Sequence, residues 1–87
     1  MSTTNGHKFY YVYIIESIHP PKHFYTGFTE NPENRLKAHN AGTCPHTKKF
    51  KPWKIKTAIA FTDHSKAADF EKYLKTASGR AFAKKRL

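Results

Sequence analysis

The chain has 87 residues, which is enough for one domain with a modest core and excludes a second domain. A hydrophobic content of 38%, with 15% aromatic residues, excludes disorder for all but the ends. Sixteen Lys and Arg against six Asp and Glu give a net charge of +10, which favours a polyanionic partner such as nucleic acid over a merely solvated surface.

The first residues predict a leader outside the fold. Residues 1–8 are mostly small and polar, so we expect a flexible leader there and a folded domain at residues 9–87. They lack the apolar core of a signal peptide, and no run is long enough to span a bilayer. The single cysteine, Cys44, excludes an internal disulfide. These features predict a cytoplasmic protein without membrane contact.

Two apolar runs, residues 9–15 and 24–29, are predicted to form a β-hairpin. The first run consists of aromatic and β-branched residues, which favour strands. Side chains alternate along a strand and neither alternate set is polar here, so both faces need cover and the strand is predicted to be central in a small sheet. Gly27 interrupts the second run, where a glycine indicates the close approach of another backbone or a ligand.

A helix is predicted at residues 31–41, because its start combines an asparagine cap with a following proline and a glycine follows its end. Arg35 and His39 are four residues apart and therefore share one face of this helix. An inward-facing arginine and histidine are one interpretation. An ordinary solvated helix face is the other.

The second half of the chain begins with a basic loop at residues 43–52 and a strand at residues 53–61. Every second residue from Trp53 to Phe61 is apolar or β-branched, which predicts one apolar face and one mixed face.

A second helix is predicted to start at a Ser65 cap and to end at Gly79. Its buried stripe consists of Ala67, Phe70, Leu74 and Ala77. A short helical tail at residues 80–87 is predicted to dock through Phe82 and Leu87. The order β, β, α, β, α with a short C-terminal helix predicts an α+β fold, in which helices flank a three-stranded antiparallel sheet.

The positive charge is concentrated in the later part of the chain. Only Lys8 and Lys22 precede residue 31, whereas five lysines fall within residues 48–56 and four cations crowd the C-terminus. This segregation predicts a nucleic-acid-binding surface.

In this order, the residues resemble the GIY-YIG endonuclease domain family over residues 9–87. The two motifs that name the family correspond here to Tyr11-Val12-Tyr13 and Tyr25-Thr26-Gly27. Further matches are Arg35, His39, Asn40, Gly42 and Glu71. The segments at residues 70–75 and 78–80 are similar to those of the small stand-alone bacterial members, which are related to the N-terminal nuclease domain of the excinuclease C subunit. The resemblance implies the GIY-YIG nuclease fold.

The resemblance also implies a function, the metal-dependent hydrolysis of DNA phosphodiester bonds. The enzyme is expected to be structure-directed or weakly sequence-specific and to act in DNA repair or processing. Alternation puts Tyr11 and Tyr13 on one face, and only the family pattern selects Tyr13 as the base or water-orienting group. Tyr25 would position the phosphate or share the proton. A phenol titrates near ~10, too high for a good base at neutral pH, so its pKa is expected to be lowered by its surroundings.

The remaining roles follow from the same resemblance. Arg35 would clamp the phosphate with its planar guanidinium, and His39 would hydrogen-bond the phosphate or the attacking water. Glu71 would be the metal ligand, for one Mg²⁺ that keeps several waters, with Mn²⁺ as a substitute. The predicted substrate-binding residues are Gly27, Asn40, Lys48, Lys49, Lys72, Lys75 and Arg80.

Alternatives remain open at several of these positions. Glu71 and Lys75 have the spacing of an ordinary helix ion pair. Many relatives carry a lysine where this chain has Phe28, and no asparagine follows Asn40. The alternative function is therefore a catalytically weak or inactive nucleic-acid-binding module of the same fold. The expected partners are DNA and a repair protein, and we expect the chain itself to be a monomer.

Overall fold

The computed structural model describes residues 8–87, so the predicted leader lies outside the described residues except for Lys8. The elements are β1 Tyr10–Ser17, β2 Phe24–Thr29, α1 Pro32–Ala41, a 3₁₀ helix Lys48–Phe50, β3 Trp53–Phe61, α2 His64–Leu74 and α3 Ala77–Arg86. The three strands form one antiparallel sheet in the order β2-β1-β3. The predicted α+β class and strand arrangement are confirmed.

The central strand β1 is covered on both faces, as predicted. Tyr13 and Ile15 point towards α1 and pack with its Leu36, on what we call the α1 face of the sheet. Val12 points the other way and packs with Leu74 of α2, on the α2 face. Both faces of the strand are therefore buried, which is why neither of its alternate sets of side chains is mainly polar.

Because of a bulge in β3, the apolar side chains of that strand point to both faces of the sheet. Ile14 pairs with Thr57. The next residue of β1, Ile15, pairs with Ile55, so Lys56 is an extra residue without a partner. Residues before the bulge therefore point to the α1 face, and the same alternate positions after it point to the α2 face. The predicted alternation is present, but the prediction of a single apolar face was wrong.

Helix α1 begins and ends as the sequence predicts. The side chain of Asn31 accepts a hydrogen bond from the Asn34 backbone N–H at 3.1 Å. Gly42 ends the helix with a φ of 80°, a left-handed conformation that favours glycine.

The second helix differs from the prediction at both ends. Asp63 caps α2, with its carboxylate accepting from the Lys66 N–H at 3.1 Å, and Ser65 lies within the helix. The helix ends at Leu74 rather than at Gly79. Thr76 starts a separate helix, α3, because its hydroxyl accepts from the Gly79 N–H at 3.0 Å.

Gly79 is therefore a residue of the first turn of α3, where it lies against the end of α2. A Cβ at this position would overlap the Tyr73 carbonyl and the Leu74 Cα. The missing side chain is what allows α3 to fold back closely on α2. As predicted, Leu87 packs against the α2-face cluster. Phe82, the other predicted anchor, is 37% exposed, and its ring contacts those of Phe70 and Tyr73 on α2.

Within residues 8–87, no helix is long and apolar enough to cross a membrane. This finding is limited to that part of the chain.

Gly79→Ala is expected to destabilise the protein by about 1–3 kcal/mol, since the new methyl group would push α3 away from α2. Alanine favours a helix over glycine by about 1 kcal/mol, so helix propensity alone predicts the opposite sign. Urea unfolding followed by circular dichroism measures the difference. Ser78→Ala, at the exposed neighbouring position, is the matched control and should change stability little. A Gly79→Ala protein as stable as the wild type would contradict the packing described here.

Candidate active site

Tyr13 forms the centre of the candidate site. It lies in the middle of β1 on the α1 face and is only 2% exposed. Its partner across the β1–β2 ladder is Gly27, and a Cβ at Gly27 would overlap the Tyr13 hydroxyl and ring. The glycine thus makes room for the Tyr13 ring over the backbone of β2. The close approach predicted at Gly27 exists, but the group that approaches is a side chain of the same protein.

His39 of α1 binds Tyr13 from above the sheet. The distance from Tyr13 Oη to His39 Nε2 is 2.9 Å. The other ring nitrogen, Nδ1, lies 2.7 Å from Oγ1 of Thr47. His39 and Thr47 are both fully buried, so these two contacts use all the polar atoms of the imidazole. Of the two interpretations of this helix face, His39 matches the inward one, whereas Arg35 is exposed.

The surrounding hydrogen bonds assign the ring proton of His39. The hydroxyl of Thr47 can donate to the Cys44 carbonyl at 3.4 Å, which leaves its oxygen to accept from Nδ1–H. The Tyr13 hydroxyl lies 2.9 Å from Nε2 and can donate its hydrogen to that nitrogen. We therefore assign the neutral Nδ1–H tautomer, in which Nε2 accepts from the Tyr13 hydroxyl.

The pKa values of this cluster move in opposite directions. Burial raises the pKa of Tyr13, although the hydrogen bond and the charge of Arg35 act to lower it. Burial, and then the charge of Arg35, lower the pKa of His39. The expectation that the surroundings lower a tyrosine pKa was wrong for Tyr13, because desolvation outweighs Arg35. Both shifts favour the neutral forms, so Tyr13 and His39 are both uncharged in the folded protein at neutral pH.

A second set of hydrogen bonds fixes the loop that carries Thr47. The Trp53 indole N–H donates to the Thr47 carbonyl at 2.9 Å. Asn40 in turn holds the Trp53 backbone, with its Oδ1 accepting at 2.6 Å and its Nδ2 donating at 3.0 Å. Both polar groups of the Asn40 amide are thus engaged within the protein. Asn40 thus positions the Trp53 backbone, and its contact with substrate stays a prediction.

Tyr25 lies beside this cluster on the edge strand. Its ring meets the His39 ring edge to face, with centroids 5.2 Å apart, and it is half-buried. Arg35 is exposed at the surface end of the same cluster. The structure therefore brings four of the five predicted catalytic residues together: Tyr13, Tyr25, Arg35 and His39.

Glu71, the fifth, lies in a different layer. It belongs to α2, which packs on the opposite face of the sheet from Tyr13 and His39. Its Oε2 accepts from Lys75 Nζ at 2.9 Å, and its side chain is 22% exposed. Glu71 and Lys75 therefore form the helix ion pair that their spacing allows. Helix α2 also contacts β2, so the path from Glu71 to the cluster runs around the open edge of the sheet.

The predicted substrate-binding cations divide between two surfaces. Lys48 and Lys49 are exposed on the 3₁₀ helix, which contacts α1. Lys75 and Arg80 line a groove on the α2 face, and Lys72 is exposed on α2. Contact of these residues with substrate stays a prediction, but the structure does not place them on one surface.

Thr47 is the one residue of the cluster that the sequence reasoning missed. It lies in a basic loop between two prolines, where no helical or strand periodicity separates buried from exposed positions. The one feature that could have indicated its burial is that Thr47 is an uncharged β-branched residue in a loop rich in lysine.

The geometry fits what comparison with known proteins finds. A family model described as the GIY-YIG catalytic domain matches residues 9–86. The chain is 45% identical over 53 residues to the structure-specific endonuclease subunit SLX1 of Debaryomyces hansenii, covering 54% of this chain and 15% of the relative. It is 35% identical over 79 residues to the protein of the same name from Vanderwaltozyma polyspora, covering 79% of this chain and 25% of the relative.

A third relative shows a similar degree of identity. The structure-specific endonuclease subunit SLX1 homolog of Giardia intestinalis is 35% identical over 65 residues, which cover 70% of this chain and 18% of the relative. The chain thus spans a quarter or less of the length of the curated relatives it matches. No solved structure matches the chain significantly.

The pKa of His39 is expected to lie below 6.5, its ordinary value, because burial and Arg35 both disfavour the imidazolium. Between the folded and unfolded pKa values the unfolded chain binds more protons, so this group destabilises the protein as pH falls below 6.5 and has no effect above it. Titration of the His39 ring protons by NMR measures the pKa directly. A His39 ring that titrates above 6.5 would contradict the buried neutral tautomer.

Thr47→Val is expected to shift His39 away from the Nδ1–H tautomer, because the acceptor for that hydrogen is removed while the side-chain volume is kept. The buried N–H left without a partner should cost about 1–3 kcal/mol of stability. The imidazole ¹⁵N chemical shifts report the tautomer, and urea unfolding reports the stability. Thr47→Ser keeps the hydroxyl and is the control, with wild-type ¹⁵N shifts. Unchanged shifts in Thr47→Val would show that Thr47 does not fix the tautomer.

Proposed function

Because this chain belongs to the GIY-YIG catalytic domain family, we propose that it is a metal-dependent DNA endonuclease domain that recognises the structure of its substrate. The family predicted from the two strand motifs is confirmed. The relatives are named as endonuclease subunits, which supports the predicted endonuclease. The observation that carries the proposal is the buried hydrogen-bonded chain from Tyr13 through His39 to Thr47, beside Arg35 and inside a domain of net charge +10.

The first step of the proposed reaction is phosphate binding by Arg35. Arg35 is exposed, and its charge acts on the phenol of the nearby Tyr13. Its planar fork suits the phosphoryl oxygens, and its charge stabilises the negative charge that grows during attack. Since Tyr13 is only 2% exposed, a phosphate that draws Arg35 outwards would also open the Tyr13 hydroxyl to water. Binding and activation are then linked through one side chain.

The second step is the transfer of a proton from water. A phenol with a raised pKa is a poor base by itself, but Tyr13 is hydrogen-bonded to the neutral Nε2 of His39. As water attacks phosphorus, Tyr13 Oη takes the water proton and passes its own hydrogen to Nε2. The bond from phosphorus to the leaving sugar oxygen breaks, and that oxygen takes a proton from solvent. Tyr13 is thereby the relay and His39 the final base.

The surrounding residues hold this relay in place. Thr47 keeps the hydrogen of His39 on Nδ1, so Nε2 is free to accept. Tyr25 packs against the imidazole and borders the surface where a phosphate would lie. Lys48 and Lys49, next to α1, would contact phosphates further along the strand.

The metal requirement is tested against the acidic residues. Among residues 8–87, no group of three or more His, Cys, Asp or Glu side chains could hold an ion by itself. Lys75 occupies Oε2 of Glu71, which leaves Oε1 for another ligand. In this proposal Glu71 would hold a Mg²⁺ ion, or Mn²⁺ in its place, through this oxygen, with water as the main further ligand. When bound, such an ion would neutralise phosphoryl charge.

The alternative of a nucleic-acid-binding module without cleavage also has support in the structure. Glu71 is engaged by Lys75, and Phe28 occupies the position where many relatives have a lysine. A module of this kind would keep the charge of the domain and bind DNA in a salt-sensitive way. The two proposals differ in DNA cleavage with Mg²⁺ present, because a binding module of this kind would cut no DNA.

The cellular setting also belongs to the proposal. The relatives are named as subunits, which supports a partner protein for this chain in DNA repair or processing. A cytoplasmic location and a monomeric chain stay predictions from the sequence.

The protein is expected to nick branched DNA in Mg²⁺, with no cutting in EDTA. Tyr13→Phe should cut at least about 100-fold more slowly, because the proton relay is broken. Glu71→Gln should lose cutting while keeping DNA binding, since it removes a negative charge. The matched control is Asp69→Asn, an exposed acid of the same helix, which should cut normally. Rates are measured on fluorescent branched substrates, and equal cutting by the wild type, Tyr13→Phe and Glu71→Gln would indicate contamination.

A further inference from the structure

A groove of about 880 Å³ lies on the α2 face of the sheet, where β2 meets α2 and α3. Its walls carry five cations and an exposed phenylalanine: Lys22, Lys56, Lys75, Arg80, Lys84 and Phe24. Its floor is apolar and comes from β1, the end of α2 and α3. We call it the edge groove. It lies on the opposite face of the sheet from the Tyr13–His39 pair, and the proposed reaction does not use it.

The charge of the edge groove has one sign. Every Lys, Arg, Asp or Glu that lines it is a cation. Lys22 and Lys75 are partly neutralised by ion pairs with acids outside the groove. Lys56, Arg80 and Lys84 have no ion pair among the described residues 8–87. Three uncompensated cations around one concave surface indicate a polyanionic ligand.

An exposed aromatic ring adds a second kind of recognition. Phe24 is 58% exposed, the most exposed of the large apolar residues in the described part of the chain. Lys56 Nζ lies 5.9 Å from the centre of its ring. Aromatic rings beside cations are how proteins bind single-stranded nucleic acid, since bases stack on the ring while the cations contact phosphates. The bases of a duplex already stack on one another, so this combination favours an unpaired strand.

The position of the edge groove connects it to the candidate active site. Tyr25 lines the groove, and its ring also contacts His39 of the active site at 5.2 Å between centroids. Both sites therefore meet at β2, which is the open edge of the sheet. A strand bound near Arg35 could pass around this edge into the groove without crossing another element of the sheet.

We propose that the edge groove binds an unpaired DNA strand of a branched substrate, with one base stacked on Phe24 and the neighbouring phosphates on Lys56, Arg80 and Lys84. That this strand belongs to a substrate rests on the proposed endonuclease function. The binding itself rests on the groove alone. The groove would then supply a preference for DNA with a single-stranded arm.

The experiment is a binding cycle without metal, so that no cleavage interferes. Fluorescence anisotropy measures the affinity of wild type and Phe24→Ala for a short single-stranded oligonucleotide and for an abasic oligonucleotide of equal length and charge. The wild type is expected to bind the normal strand about 5-fold or more tightly than the abasic one. Phe24→Ala should lose this preference and bind the abasic strand as the wild type does. Lys84→Ala should weaken both strands equally and reduce the salt dependence.

Tyr73→Ala is the matched control, because Tyr73 is 40% exposed and lies outside the groove. It should bind both strands as the wild type does. Equal weakening of both strands by Phe24→Ala would overturn base stacking on this ring. A duplex that competes as well as the single strand, or a polyglutamate that does so, would overturn the proposed occupant.

The same variants separate this proposal from the endonuclease proposal. If the protein cuts no DNA but shows the Phe24-dependent preference for bases, the groove proposal stands and the endonuclease proposal is wrong. If the protein cuts branched DNA in Mg²⁺ and Phe24→Ala has no effect on binding, the endonuclease proposal stands and the groove proposal is wrong.

Discussion

The hydrogen bond between Tyr13 and His39 is the interaction on which the rest of the site depends. It joins the central strand to the first helix, and each side needs a specific support. On the strand side, Gly27 leaves room for the Tyr13 ring over β2. On the helix side, Thr47 binds the far nitrogen of His39, and the backbone of its loop is held by Trp53. Fully buried polar groups are costly without partners, so the loop, the helix and the sheet must come together as one unit.

Electrostatics then give the two buried groups different roles. Burial acts on both, but it disfavours the anion of Tyr13 and the cation of His39, so both groups are neutral in the folded protein. Arg35 favours the tyrosinate and disfavours the imidazolium, yet it does not reverse the effect of burial on the phenol. A neutral imidazole that is hydrogen-bonded to a neutral phenol can accept the phenolic proton with little movement of either side chain. This is why we place the final base on His39 rather than on the tyrosine that names the family motif.

The open edge of the sheet links the features that the two faces separate. The Tyr13 cluster lies on the α1 face, whereas Glu71 and the edge groove lie with α2 and α3. Because β2 has no outer neighbour, a DNA strand bound as proposed could reach both faces around it. With a net charge of +10 and cations on both faces, so small a domain could contact more than one arm of a branched molecule.

The sequence by itself determined the element order, the central place of β1, the caps of α1 and the identity of the family, since all of these follow from local patterns. It also placed Tyr13, Tyr25, Arg35 and His39 in one site, although only through the family resemblance. Tertiary structure decided what no local pattern encodes: the bulge at Lys56, the crossing of α3 at Gly79 and the partnership of His39 with Thr47. The physical reason is that bulges, helix packing and buried hydrogen bonds depend on contacts between residues that are distant in the sequence. The spacing of residues along the chain does not specify those contacts.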